Sequence, residues 1–262
     1  MTKGFQHFLK HWFHCNSGKR LFEQEKNLLD EALKNLFGYF AVQLGCVSQE
    51  NLFANSRIQD KVMIDESVAH ETAKKEQVHW VQAETDFLPI GRSAVDVVLL
   101  PHTLEAVDDP YYLLRQVDNM LRPEGHIVLS GFNPWGCLSF RMKHLSGSKD
   151  FKQAHFRRAS RIGEWLEVLG YEVTSVRYTS VMCFNAYQKY PKWVKAIEFV
   201  ERALCRIGLN FGNSYCLVAK KRVDMPTLVG LKWQLPSWRG LKSGAPLSSK
   251  NWHNRDKEKN RR

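Results

Sequence analysis

The chain has 262 residues, 44% of them hydrophobic and 25% charged, with a net charge of +11; that suffices for one α/β domain with a full core plus a tail, or two small domains. No apolar run approaches the roughly 20 residues of a membrane span, and His and Lys interrupt the N-terminal MTKGFQHFLKHWFHC where a signal peptide would be apolar. Six scattered cysteines (Cys15, Cys46, Cys137, Cys183, Cys205, Cys216) with no C-x-x-C pair argue against a disulfide framework or zinc knuckle and for a reducing, cytoplasmic setting.

Residues 5–14 alternate aromatic and basic side chains. Residues 21–37 read as an amphipathic helix, with Leu21, Leu28, Leu29, Leu33, Leu36 and Phe37 near one face and Gly38 placed to end it. An alternation follows: strand YFAVQL (39–44), a short helix over 49–58, strand KVMI (61–64), a helix over 67–76, then strands VHWVQA (78–83) and VDVVLL (95–100). Residues 110–121 form a helix with Leu113, Leu114, Val117 and Leu121 on one side; Pro123 and Gly125 stop it, and HIVLSGF (126–132) is the next strand. Ile162, Trp165, Leu166 and Leu169 mark another helix, followed by YEVTSVRYTSV; Val194, Ile197, Val200, Leu204 and Ile207 mark one more, followed by YCLVAKK. After Val223 the chain has Pro, Gly, Ser, Lys and Trp without period and reads as disordered. Residues 231–262 hold nine Lys/Arg against Asp256 and Glu258, so most of the basicity belongs to this tail. The organisation is thus an N-terminal helical segment (1–37), an α/β domain (38–223) and a basic tail (224–262).

Strands apolar on both faces and separated by helices imply an α/β, doubly wound, mostly parallel sheet covered on both sides. Ligands in such sheets sit beyond the carboxyl ends of the strands, which directs attention to the loops after residues 44, 64, 83, 100 and 132. Other candidates carry weaker chemistry. His7, His11 and His14 with Cys15 could share a helix face, but an aromatic helix packed on the domain or touching a membrane surface is the better reading, and no metal site is assigned. The stretch 141–161 holds seven Lys/Arg against one Asp and is either a solvated loop or an attractor of an anionic substrate. The tail, with Trp233, Trp238 and Trp252 among basic residues, is a solubilising extension or a nonspecific contact segment for RNA or anionic lipid.

The run LPIGRSAVDVVLLPHTLEAVDDPYYLLRQVDNMLRPEGHIVLSGFNP (88–134) resembles the middle of class I S-adenosylmethionine-dependent methyltransferases of the small-molecule, type 11 kind. The resemblance rests on Leu88-Pro89, Val95-Asp96, the His102-to-Glu105 turn, Asp109-Pro110 and Leu121 to Gly125. It extends to VMIDES (62–67) as the second strand and VQAETDFLP (81–89) as the third. It implies a Rossmann-like, seven-stranded sheet with the last strand antiparallel, S-adenosylmethionine as cofactor and a small-molecule acceptor. Asp65, twenty residues after Gly45, has the spacing of the acid that accepts both ribose hydroxyls. Glu84 stands where the family meets the adenine amine, with the Thr85 backbone N–H beside it. The turn at Gly45 and Cys46 would approach the methionine end, and Leu100, Pro101 and His102 would line the cofactor. His102 is also the candidate base, with a turn residue packing beside the cofactor as the alternative.

The family's Asp-x-Gly-x-Gly-x-Gly reads Gln43, Gly45, Val47, Gln49 here, a degenerate first glycine motif. Were Val47 held at positive φ, it would carry roughly 1–2 kcal/mol of strain, and its branched side chain would enter cofactor space. Asn133-Pro134 reads as a turn with Trp135 as a possible substrate wall. Two functions follow: a methyltransferase, or an inactive methyltransferase fold that binds RNA or a protein partner through 141–161 and the tail.

Overall fold

Period-two alternation decides which way each strand residue faces, and in this chain both directions are apolar. A computed structural model describes residues 3–48, 51–66, 78–84, 87–144, 154–180 and 210–222. In it β1 (Phe40–Leu44), β2 (Asp60–Asp65), β3 (His79–Gln82), β4 (Val95–Pro101) and β5 (Leu121–Phe132) run parallel. β6 (Tyr171–Tyr178) and β7 (Ser214–Lys221) complete a seven-stranded sheet in the order β3-β2-β1-β4-β5-β7-β6, with β7 antiparallel to both neighbours. The expected doubly wound, mostly parallel sheet is therefore the observed one. The order reverses at β1, between β2 and β4, which is where ligands bind in sheets of this kind, beyond the carboxyl ends of the strands.

One face carries Ala41, Val97, Leu99, Val128 and Val218, which pack on α1 (Lys3–Trp12) and α2 (Asn16–Lys34) through Phe5, Leu9, Leu21, Phe22, Leu29 and Leu33. The other carries Val42, Leu44, Val98, Leu100, Ile127 and Leu129. These meet the short α3 (Thr103–Ala106), α4 (Pro110–Met120) and α6 (Ala159–Val168) through Leu104, Leu113, Leu114, Ile162 and Leu166. α5 (Cys137–His144) follows β5. α4 begins where Asp109 Oδ1 accepts the Tyr112 N–H at 3.0 Å and Pro110 takes the first turn. Asp96, entering β4, accepts the N–H groups of Tyr39 and Phe40 at 2.7 and 2.9 Å and Arg122 Nη1 at 3.2 Å, which fixes the start of β1 against β4 and β5.

Two local expectations are corrected. Residues 51–58 are turns rather than helix: Asn51 Oδ1 takes the Phe53 N–H at 2.8 Å and Ser56 Oγ takes the Ile58 N–H, diverting donors a helix needs. Strand β5 begins at Leu121 rather than after Gly125, because Leu121 already pairs with Val95 across a register shift, and Glu124 turns through φ 65°. The helices expected over 67–76 and near 194–207, and the tail after 223, lie outside the described residues. Among the described residues, no helix is long and apolar enough to cross a membrane.

Candidate functional site

Three neighbouring parallel strands deliver their carboxyl ends side by side: β1 at Leu44, β2 at Asp65 and β4 at Pro101. Gly45 leaves β1 with φ +84° while its N–H donates to Ile64 O at 2.8 Å. Thr103 Oγ1 donates to Leu44 O at 2.5 Å, tying the loop after β4 to the end of β1. Gln43, buried, donates Nε2 to Gly45 O at 3.0 Å. A Cβ on Gly45 would lie 2.5 Å from Gln6 Nε2, the movable end of a side chain, and 3.3 Å from Thr103 Oγ1, so it is mainly the backbone angle that calls for glycine.

Asp65 ends β2 with its carboxylate almost fully buried. Oδ1 accepts the Glu66 N–H at 2.9 Å and Oδ2 accepts Lys10 Nζ at 2.7 Å. Lys10 belongs to α1, whose Phe5 and Leu9 are sealed in the core. Cys46 is buried in the same neighbourhood: burial pushes its thiol up, Lys10 opposes this and Asp65 adds to it. The turn at Gly45 and Cys46, the acid Asp65 and the Pro101–Thr103 loop are thus brought together.

Val47 bears no left-handed strain. Among the described residues the positive-φ positions outside glycine are Ser93, His102 and Glu124. Val47 instead joins the core beneath α1, in one cluster with Phe5, Leu9, Leu52 and Phe53. Leu100 and Pro101 are buried, Leu100 toward α4. Glu84 is exposed past the end of β3, and Thr85 lies outside the described residues.

His102, at φ 51°, is fully buried between two carboxylates: Nδ1 lies 2.8 Å from Glu105 Oε2 and Nε2 lies 3.1 Å from Glu25 Oε2. Glu105 Oε1 also accepts the Phe132 N–H, and the imidazole packs on Phe132 with centroids 4.4 Å apart. Burial alone would lower the imidazole, but Glu25 and Glu105 outweigh it and push His102 up to about 10. At Glu105 burial raises the carboxyl more than His102 and the Phe132 N–H lower it. The cluster therefore holds its proton on His102 at neutral pH, with both N–H groups donated and no lone pair offered to a substrate.

His7 and His11 meet across one exposed turn of α1 with Nε2 atoms 3.4 Å apart, and among the described residues no group of three metal-ligating side chains occurs. Asn133 shapes the turn after β5 by donating to Asn210 O and Gly212 O, both at 2.9 Å. Trp135 is half exposed, stacked on Phe211 and covered by Arg158 at 3.6 Å from the ring centroid. Of the basic stretch, Arg157 is spent on Leu104 O and His155 O, and residues 145–153 lie outside the described residues.

Gln6, Lys10 and Glu25 were not legible as site neighbours. Gln6 and Lys10 stand four apart on a helix, which aligns them, but nothing local shows what that face meets. The set suits a nucleoside with a charged amino-acid end. A carboxylate can accept a diol, a bare glycine admits close approach, and two buried amide atoms beside that glycine, Gln6 Nε2 and Gln43 Oε1, have no partner.

Residues 55–129 match a family described as a methyltransferase domain; the match spans Asp65, Glu84 and His102 and begins after the Gly45 turn. The uncharacterized protein YafS of Escherichia coli (strain K12) is 34% identical over 109 residues, which is 41% of this chain and 45% of that relative. The chain thus spans under half the length of the curated relative it matches. A Haloferax volcanii putative methyltransferase, solved with the Trm112 methyltransferase activator, is 15% identical with a TM-score of 0.59, covering 82% of this chain and 98% of that one. A Thermotoga maritima S-adenosylmethionine-dependent methyltransferase, a possible histamine N-methyltransferase, is 17% identical with a TM-score of 0.57, covering 82% and 100%. At such identities the two structures speak for the fold.

Proposed function

We propose that this chain, whose residues 55–129 match a methyltransferase domain, binds S-adenosylmethionine at the joined ends of β1, β2 and β4 and methylates a small-molecule acceptor. The observation that carries the reading is the buried Asp65 carboxylate set beside the positive-φ turn at Gly45. Bound there, the cofactor supplies a methyl group on a sulfonium, open to in-line attack by an acceptor lone pair.

The chain's own part is binding and orientation. Asp65 accepts the ribose hydroxyls. Glu84 accepts from the adenine amine, with the Thr85 N–H on a ring nitrogen. The backbone of Gly45 and Cys46 admits the amino-acid end, and the unpartnered Oε1 of Gln43 supplies an acceptor there. Leu100, Pro101 and His102 would border the cofactor from the end of β4. His102 keeps its proton and acts as a positioning residue, holding the loop against α2 through Glu25. Holding the acceptor against the methyl then does most of the work, because fixed proximity removes the entropic part of the barrier. The small acceptor is supported by the type 11 resemblance of residues 88–134.

Calorimetric titration with S-adenosylmethionine should give saturable heat, and Asp65→Ala should weaken it at least about tenfold, the range for a lost hydrogen bond to a charged group. Equal affinity in the variant would end the assignment.

A further inference from the structure

Resting on that cofactor reading, we propose that α1 is a lid closed over the cofactor site and that Lys10 is the chain's own competitor for Asp65. Two obstructions come from this one helix. Lys10 Nζ occupies Asp65 Oδ2 at 2.7 Å, and Gln6 Nε2 sits 2.5 Å from where a Cβ on Gly45 would be, against the bare backbone of that residue. The Gln6 nitrogen is buried there without a partner, so it gains nothing from the contact that a ligand could not replace. Residues four apart share a helix face, so a single displacement of α1 clears the acid and the glycine together.

The same helix explains why the lid is shut. Phe5 and Leu9 are wholly buried beneath it, and lifting α1 exposes them. α2 stays behind, because Leu21, Leu29 and Leu33 lie in the core and Glu25 is bonded to His102. The break between the two helices, at residues 13–15, is where the chain bends.

A ligand that needs Asp65 binds only the open form. Its apparent dissociation constant is the intrinsic one divided by the open fraction, so weakening the latch tightens binding by the factor that raises opening. Opening has its own signature. α1 has 10 residues, fewer than the roughly 12–15 at which a free helix is even marginal in water, so a lifted α1 melts and its amides exchange.

The test uses the full chain. S-adenosylhomocysteine is titrated into the wild type, Lys10→Met, Gln6→Ala and Asp65→Ala, and amide hydrogen exchange is followed without ligand. Lys10→Met, which keeps the apolar stem, should tighten binding about fivefold, the range for a partly exposed ion pair, and speed α1 exchange by the same factor while α2 is unchanged. Gln6→Ala should act in the same direction. Asp65→Ala should also speed α1 exchange yet lose affinity, so the two partners of one ion pair move binding in opposite directions. Weaker binding by Lys10→Met, or α1 exchange indifferent to it, overturns the lid. Absence of binding by the wild type and every variant overturns the cofactor reading instead, whatever α1 does.

Discussion

The imidazole of His102, in the turn after β4, donates to the carboxylate of Glu25 in α2, 77 positions earlier in the chain, at 3.1 Å and almost wholly out of water. This contact, with Glu105 on the other ring nitrogen, fastens α2 to the loop that borders the candidate site.

Removing one partner of a buried ion pair strands the other charge. Glu25→Ala should destabilise the fold by about 3 kcal/mol in urea denaturation, and Glu25→Gln, which keeps an acceptor for His102, should cost about half of that. Equal losses in the two variants would show that shape, not charge, is what Glu25 contributes.

The pH dependence follows from the raised imidazole. The folded pKa of His102, about 10, lies above its unfolded value near 6.5, so its contribution to stability is complete below that unfolded value and is lost as pH rises through 10. The thermal midpoint should fall between pH 8 and pH 10.5. The fall should be visibly shallower in His102→Asn, which separates it from the general titration of lysine and tyrosine.

Gly45→Ala places a Cβ on backbone at φ +84°. The displaced neighbour is the end of Gln6, which can move, so left-handed strain sets the cost at about 1–2 kcal/mol. Chemical denaturation of Gly45→Ala with and without Gln6→Ala checks this: the second change should recover little of the stability.

Asp96 accepts two backbone N–H groups at the start of β1, and Asp96→Ala should cost about 2 kcal/mol by leaving them without that acceptor. Burial pushes the Asp96 carboxyl up, but the Phe40 and Tyr39 N–H groups and Arg122 together hold it below its usual range. Its contribution is therefore present above the unfolded pKa and is lost as pH falls through the lower folded value. An acid-unfolding curve for the variant should lack that component.

The sheet was legible because its evidence is local. Val97 and Leu99 face one layer and Val98 and Leu100 the other, and an apolar run of that length between helical patterns has few alternatives. Asp65 and Gly45 were legible for a related reason: a parallel strand pair fixes where each strand ends, so twenty residues of spacing place an acid beside a turn. The helix expected at 49–58 failed because Asn51 and Ser56 bond their own backbone, a choice that hydrophobic periodicity does not register.

The sequence by itself thus determined the doubly wound sheet, its layers and the strand ends at which an acid and a glycine turn meet, because periodicity and spacing are properties of neighbouring residues. Only the tertiary structure decided that Lys10 would sit on Asp65, Gln6 on Gly45 and Glu25 on His102. Those pairings join residues tens of positions apart, and they are set by how the buried faces of α1 and α2 dock on the sheet, which no local pattern encodes.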